Sequence, residues 1–125
     1  MPLELIDLYP TFGELAGFGD DLPAILQGKS AVPFLDQPEE IDLDETAYTI
    51  TRSQGGSLRT NRWRYNRWGE DARGTNEELY DHSTDPFEHQ NLARDSAHQP
   101  ILDQLRSAFN QVRSRARAEG YQGQD

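Results

Sequence analysis

The sequence contains no cysteine, and this absence removes several kinds of chemistry at once. Disulfides, zinc–thiolate sites and thiol nucleophiles are excluded, and so is any nucleophile made by modifying a cysteine. No apolar run approaches the length of a membrane span. The N-terminal stretch MPLELIDLYP lacks the basic region and the long apolar region of a signal peptide. The sequence therefore leaves the cellular location of the protein undetermined.

Core-forming residues are also scarce. Leu, Ile, Val and Phe account for 25 of the 125 residues, and the formal net charge is −10. This composition borders on that of disordered chains, but twelve aromatic residues favour a folded unit because each ring buries a large area. We expect one small folded unit that is short of core. Its acidic excess predicts no nucleic-acid partner and no membrane partner.

The chain divides into four segments. Residues 1–35 read as a strand, a helix and short turns, residues 36–45 as an acidic linker, residues 46–119 as a small subdomain, and residues 120–125 as a frayed tail. The strand is PLELI, which alternates as strands do but has no neighbour nearby in sequence. A strand without a neighbour indicates a missing partner.

The first helix is predicted from Asp7, a good N-cap, with Pro10 in its first turn. Its single apolar face consists of Leu8, Phe12 and Leu15. If nothing covers this face, the chain is expected to self-associate through it.

The subdomain is predicted to be α+β, with a four-stranded antiparallel sheet and an amphipathic C-terminal helix on one face. TAYTITRS, GGSLRT, WRYNRW and EELYDH read as the strands. In the third strand, Trp63, Tyr65 and Arg67 are predicted to face one way, and Arg62, Arg64, Asn66 and Trp68 the other. The helix spans residues 100–117, with apolar residues at helical spacing: Ile101, Leu105, Ala108, Phe109, Val112 and Ala116.

The arginines are concentrated around the second and third strands. Residues 52–73 carry a net charge of +4, whereas the remainder of the chain carries −14. Guanidinium groups recognise sulfate, phosphate and carboxylate through paired N–H donors, so this hairpin could bind an anion. The alternative is an ordinary hairpin whose aromatics pack under the helix and whose arginines face water, and this interpretation is favoured by the sequence alone.

A metal site is a weaker possibility. Asp81, His82, Asp85 and His89 could supply metal ligands, but a surface turn explains them better, because Ser83 or Thr84 can cap a short helical piece and Asp85-Pro86 can start a turn. No P-loop, dinucleotide-binding glycine pattern, serine elbow or HExxH motif is present.

Four segments, taken in order, resemble one family, the sulfatases. ELIDLYPTFGELAGF resembles their D-[LI]-[YF]-P-T-L-x-x-L-A-G pattern, and LQGKSAVPFL resembles the L-x-G-x-S-L-x-P-L-L segment that follows it. SLRTNRWRYNRW is similar to their R-T-x-x-[WY]-[KR]-Y hairpin. EELYDHSTDPFEHQNLA is similar to E-L-Y-D-x-x-x-D-P-x-E-x-x-N-L-A, which precedes their C-terminal helix. The resemblance covers residues 2 to about 117, and within the family the iduronate-2-sulfatase-like branch is the most similar.

This resemblance implies the C-terminal part of a formylglycine-dependent sulfatase with an alkaline-phosphatase-like fold. The formylglycine and the calcium ligands of such enzymes belong to a larger N-terminal domain, so this chain is expected to carry no catalytic residue, no metal and no cofactor, and to be inactive alone. Its role would be to support that domain and to line the substrate cleft, for which the candidate residues are Arg59, Arg62, Arg64, Gly55 and Gly56. Enzymes of this family are often exported. The alternative is a free-standing module that binds sulfated or uronic-acid glycans through the arginine hairpin.

Overall fold

A computed structural model describes residues 2–36, 46–51, 55–72 and 75–120. The chain forms two compact units, residues 1–47 and 48–125. The helices and strands are, in chain order, α1 (Leu8–Leu15), α2 (Val32–Asp36), β1 (Ala47–Ile50), β2 (Gly56–Arg59), β3 (Trp63–Arg67), β4 (Glu77–Asp81) and α3 (Gln99–Gly120). Most of the predicted acidic linker and the tail from residue 121 lie outside the described residues, so those boundaries stay a prediction.

The first helix forms as predicted, but the strand before it does not. Leu5–Asp7 make a 3-10 turn, because Glu4 N–H donates to the Asp7 carboxylate over 2.9 Å and bends the chain. α1 starts directly after Asp7 and ends at Leu15, and Gly17, which follows the C-cap residue Ala16, has a φ of 80°. Phe18 N–H donates to Gly13 O and Gly17 N–H to Glu14 O, the pattern of a Schellman cap.

A polar clasp joins the start of α1 to the loop before α2. The other carboxylate oxygen of Asp7 accepts from Lys29 N–H over 2.9 Å. The Thr11 hydroxyl donates to Asp7 O over 2.6 Å and accepts from Ala31 N–H over 2.9 Å. At Gly28 a Cβ atom would lie 2.0 Å from a backbone carbonyl oxygen, so only glycine fits. These hydrogen bonds to backbone groups thus hold the start of α1 against the loop before α2.

In the second unit the strand order is β1-β2-β3-β4, and the β2–β3 and β3–β4 pairs are antiparallel. The predicted tight turn between β2 and β3 closes with Thr60 N–H donating to Trp63 O over 2.9 Å. The α+β class and the four-stranded antiparallel sheet with its C-terminal helix are confirmed.

The core lies between the sheet and α3. Its buried members are Leu58, Tyr65, Leu79, Ala93, Leu102, Leu105 and Phe109. Tyr48 and Tyr65 both meet the Phe109 ring edge-on, with centroids 5.1 and 5.4 Å away. The predicted facing of β3 is correct, because Tyr65 and Arg67 are buried beneath α3 whereas Trp68 is exposed. Leu102 is a core residue that the predicted apolar set for α3 omits.

The predicted short helical piece after β4 is instead a series of turns, with its only helical element a 3-10 turn at Ser96–His98. Asn91 in this segment pairs with the free side of β4. Its side chain accepts from Leu79 N–H over 3.0 Å and donates to Glu77 O over 3.1 Å, and Leu92 N–H donates to Leu79 O. The edge of β4 is thereby covered without a fifth strand.

Candidate functional site

Arg59, Arg64, His82 and Glu88 form one chain of polar contacts on the sheet face opposite α3. Arg59 Nη2 donates to His82 Nδ1 over 2.9 Å, which assigns the ring proton to Nε2. His82 Nε2 lies 2.6 Å from Glu88 Oε1, and Arg64 Nε lies 3.0 Å from the same oxygen. Glu88 has a φ of 59°, a conformation that costs a non-glycine residue free energy. This backbone turns its carboxylate towards His82 and Arg64.

Arg59 and Arg64 oppose each other directly in the β2–β3 register. Like charges in that position are destabilising. Burial, and next the charge of Arg64, lower the pKa of Arg59. Glu88 is the anion that offsets this repulsion, so the two arginines hold the loop after β4 against the sheet.

Arg62 has a different partner at the end of the same hairpin. It binds Asp81 in a bidentate pair, with Nε 2.9 Å from Oδ1 and Nη2 2.7 Å from Oδ2. Asp81 also accepts from the backbone and hydroxyl of Ser83, over 3.0 and 2.6 Å. The hydrogen bond from Arg62 is the largest cause that lowers the pKa of the Asp81 carboxyl. The three predicted cleft arginines are thus all engaged within the chain, and their role in a cleft stays a prediction.

Gly55 and Gly56 are buried where the chain enters β2. A Cβ atom at Gly55 would lie 2.7 Å from Arg67 O, and one at Gly56 would lie 2.7 Å from Thr49 O and 3.2 Å from the Phe109 ring. Close packing alone therefore explains why glycine occupies both positions. Its predicted place in a substrate cleft stays a prediction as well.

A second charged cluster, outside the residues predicted for the site, lies buried between the sheet and α3. Glu77 is 3% exposed and accepts from Arg106 Nε and Nη2 over 2.6 and 2.7 Å and from the Tyr65 hydroxyl over 2.7 Å. Burial, and next the Glu77 hydrogen bond, raise the pKa of Tyr65. The sequence signal is the alternation in EELYD, which places Glu77 on the same inward-facing side of β4 as Leu79. An acid in such a position needs a buried partner.

Two further arginines lie on the same face of α3 and β3. Arg67 is 3% exposed, donates to Asn110 Oδ1 over 2.9 Å and lies over the Phe109 ring at 4.4 Å. Arg113 is also buried and donates to Glu70 O over 2.9 Å. The Arg67 Nε and Arg113 Nη2 atoms have no hydrogen-bond acceptor.

Three of the four possible metal ligands of the second unit have other partners. Asp81 binds Arg62, both ring nitrogens of His82 are engaged, and Asp85 accepts from Gln90 N–H over 2.8 Å. In the parts of the chain that the structure describes, no three His, Cys, Asp or Glu side chains are grouped to hold a metal ion. Within those same parts, no helix has both the length and the apolar character needed to cross a membrane.

Exposed apolar side chains are concentrated in the first unit. Of the thirteen large hydrophobic residues with exposed side chains in the described parts of the chain, ten fall between residues 3 and 35. They include the whole predicted face of α1, Leu8, Phe12 and Leu15, together with Tyr9 and Phe18. A soluble monomer seldom leaves so many large apolar groups together in water.

Comparison with known proteins connects these features to one family. A family model described as "N-sulphoglucosamine sulphohydrolase, C-terminal" matches residues 3–115. The chain belongs to this sulfatase family. A "Delta 4,5-hexuronate-2-O-sulfatase" of Bacteroides thetaiotaomicron is 31% identical over 119 residues, which cover 90% of the chain and 24% of that protein. The chain therefore corresponds to the C-terminal portion of a sulfatase.

Solved structures give the same assignment. A 2-O GAG sulfatase is 28% identical with a TM-score of 0.71, over 95% of the chain and 26% of that protein. A phosphonate monoester hydrolase of Agrobacterium radiobacter shares the fold alone, at 20% identity and a TM-score of 0.58, over 87% of the chain and 24% of that protein. The chain spans about a quarter of the length of the relatives that it matches.

The cofactors that the family implies do not fit this part of the protein. Formylglycine made from cysteine has no precursor here, because the sequence has no cysteine. Calcium takes six to eight oxygen ligands, and the described residues offer no such group. If the chain takes part in sulfate-ester hydrolysis, the reacting groups come from elsewhere.

Proposed function

We propose that this chain serves a sulfatase as its C-terminal portion, where it supports the catalytic domain and lines one wall of the substrate cleft. The exposed apolar residues of the first unit are the observation that carries the proposal. The second unit buries its own core between the sheet and α3, whereas in the first unit the buried apolar residues among those described are the small Pro10 and Ala31. A segment that leaves Phe12 and Leu15 in water is suited to packing against a larger apolar surface.

The occupant of that surface would be the larger N-terminal part of the enzyme. The chain spans about a quarter of its relatives, and the family match begins at residue 3. The first unit would then be the point of attachment, and the second would project the arginine hairpin towards the substrate. By similarity to a hexuronate-2-O-sulfatase and a 2-O GAG sulfatase, the substrate of the whole enzyme would be a glycan with a 2-O-sulfated uronic acid.

Self-association of the isolated chain tests the attachment surface. Sedimentation velocity over a range of concentrations is expected to show association that Phe12→Ser plus Leu15→Ser reduces strongly. The matched control is Ile50→Ser, because Ile50 and Leu15 are equally exposed, at 59% and 58%, but Ile50 lies in the sheet. A chain that stays monomeric at high concentration, or that associates equally in all variants, would contradict this proposal.

The free-standing glycan-binding module is a second candidate function, favoured by the 58% exposure of the Arg62 side chain. It predicts that the isolated chain is monomeric and binds heparin in a salt-dependent way. Arg62→Ala plus Arg64→Ala should then weaken binding. Arg94→Ala plus Arg115→Ala is the matched control, because both are exposed arginines outside the hairpin. Equal loss in the two double variants would indicate unspecific charge attraction and exclude the module.

A further inference from the structure

His82 has a side chain of the type that gains a charge near neutral pH, and its contacts fit one form of the ring. Nδ1 accepts from Arg59 Nη2 over 2.9 Å and therefore carries no proton. Nε2 carries the proton and lies 2.6 Å from Glu88 Oε1. The His82 side chain is 17% exposed, so protons from solvent can reach the ring. The described contacts are thus those of an uncharged imidazole.

Protonation of this ring would reverse the role of Nδ1. A charged imidazole donates from both nitrogens, so Nδ1–H would point at Arg59 Nη2, which is also a donor and also positively charged. The 2.9 Å contact would turn from a hydrogen bond into a repulsion. The bond from Nε2 to Glu88 would strengthen, because it would then join opposite charges. The ring would therefore stay in place while its bond with Arg59 was lost.

Arg59 would remain anchored after this change. Its other terminal nitrogen, Nη1, donates to the backbone oxygens of Thr60 and Trp63, and these bonds do not involve His82. Arg59 is half-buried, so part of it is open to solvent. Protonation would thus leave Arg59 Nη2 and His82 Nδ1–H side by side, as two charged donors without an acceptor between them.

The charges of the cluster favour an anion at this point once the ring is protonated. Arg59 and Arg64 oppose each other on β2 and β3, and the charged ring would add a third positive group. Glu88, in the loop after β4, is the carboxylate that contacts His82 and Arg64. Three cations against one carboxylate leave a net positive charge, which attracts an anion.

Other titratable groups of this segment leave that balance unchanged. Asp81 is engaged by Arg62, and Asp85 accepts a backbone N–H of its own loop over 2.8 Å. His89 is close to Asp85. Burial raises the pKa of Tyr80, so its hydroxyl stays neutral where an imidazole titrates.

We propose that Arg59 and protonated His82 together bind a sulfate group of the glycan, whose oxygens accept from Arg59 Nη2 and His82 Nδ1 and separate the two cations. The inference rests on the proposed function for the source of the anion, because Arg59 is one of the candidate cleft residues. Binding depends on the charged ring, since the neutral ring itself accepts from Nη2. The site is therefore closed at higher pH and opens on acidification.

The test is an NMR titration of the chain with sodium sulfate at constant ionic strength, followed through the Arg59 side-chain and His82 ring resonances. Affinities are compared about one pH unit above and below the midpoint of the His82 ring titration, where the ring is about one-tenth and about nine-tenths protonated. Sulfate should bind about tenfold more tightly at the lower pH. Equal affinity at both pH values, a proton on Nδ1 above the midpoint, or a ring that stays neutral down to about pH 5 would overturn the site.

A pair of variants at the same two pH values separates this site from general charge effects. His82→Asn removes the titrating group and leaves an amide oxygen that can accept from Arg59, so the tenfold difference should disappear. His89→Asn is the matched control, because His89 is an exposed histidine of the same loop, and it should keep the difference. A difference retained in His82→Asn, or lost in both variants, would contradict the site. Neither result involves the apolar face of α1, so failure would leave the self-association test of the proposed function unaffected.

Discussion

Replacing Glu77 should destabilise the second unit more than any other single change of charge. The carboxylate is fully buried and accepts three short hydrogen bonds, two from Arg106 and one from Tyr65. Removing one partner of a buried ion pair usually costs about 3–5 kcal/mol, because it leaves an uncompensated charge. In Glu77→Gln we expect the lower limit, about 3 kcal/mol, since Arg106 keeps a second partner, Asp103, at 2.7 Å.

The assay is thermal and urea unfolding followed by circular dichroism and tryptophan fluorescence. For a domain of this size, about 3 kcal/mol corresponds to a Tm lower by roughly 12–24 °C. Asp103→Asn removes the exposed partner of the same arginine and should cost at most about 1 kcal/mol. If Glu77→Gln lowers the free energy of unfolding by no more than this control, the buried network does not stabilise the fold and the reasoning is wrong.

Three further changes test the rest of the fold. The hydrogen bond from Arg62 lowers the pKa of Asp81, so the ionised carboxylate stabilises the fold above a pH of about 4, and this stabilisation is lost at lower pH. In Asp81→Asn, the free energy of unfolding should therefore fall less steeply between pH 5 and pH 2. Gly28→Ala places a Cβ atom 2.0 Å from a backbone carbonyl and should accelerate amide exchange in the first unit, whereas Gly19→Ala, with 3.7 Å of space, should not. Phe109→Ala removes a fully buried ring and should cost about 3–5 kcal/mol in urea unfolding; a loss below about 1 kcal/mol would mean that the core tolerates the cavity.

The sequence predicted the second unit well because its periodicities are strong. Alternation in WRYNRW places Tyr65 and Arg67 on one face, and the structure buries both beneath α3. The helical spacing of Leu105 and Phe109 likewise reports a face that packs against the sheet. These patterns survive because burial acts on whole faces of an element rather than on single residues.

The strand predicted for PLELI failed for a local reason. Its alternation is real, but hydrogen bonds between Glu4 and Asp7 turn the chain: Glu4 N–H donates to the Asp7 carboxylate, and Asp7 N–H donates to Glu4 O. Strands also need a paired neighbour, whereas a capping interaction forms within four residues. Competition of this kind between local polar bonds and weak alternation cannot be resolved from spacing alone.

The candidate site was predicted only at the level of residue types. The arginines of the hairpin were identified as possible anion ligands, yet their partners depend on how distant residues approach. Arg64 pairs with Glu88, whose carboxylate is oriented by its left-handed backbone conformation. Arg62 pairs with Asp81, which is 19 residues away in the sequence. Such pairings arise from tertiary geometry and leave no spacing rule in the sequence.

The two units differ in how much of their apolar content they bury. Among its described residues, the second unit has a core of seven buried side chains, and aromatic rings and arginine stems fill the space that aliphatic residues would otherwise take. The first unit is rich in large apolar residues but buries almost none of them. The apolar face of α1 is the surface on which the proposed attachment to a larger partner depends most directly.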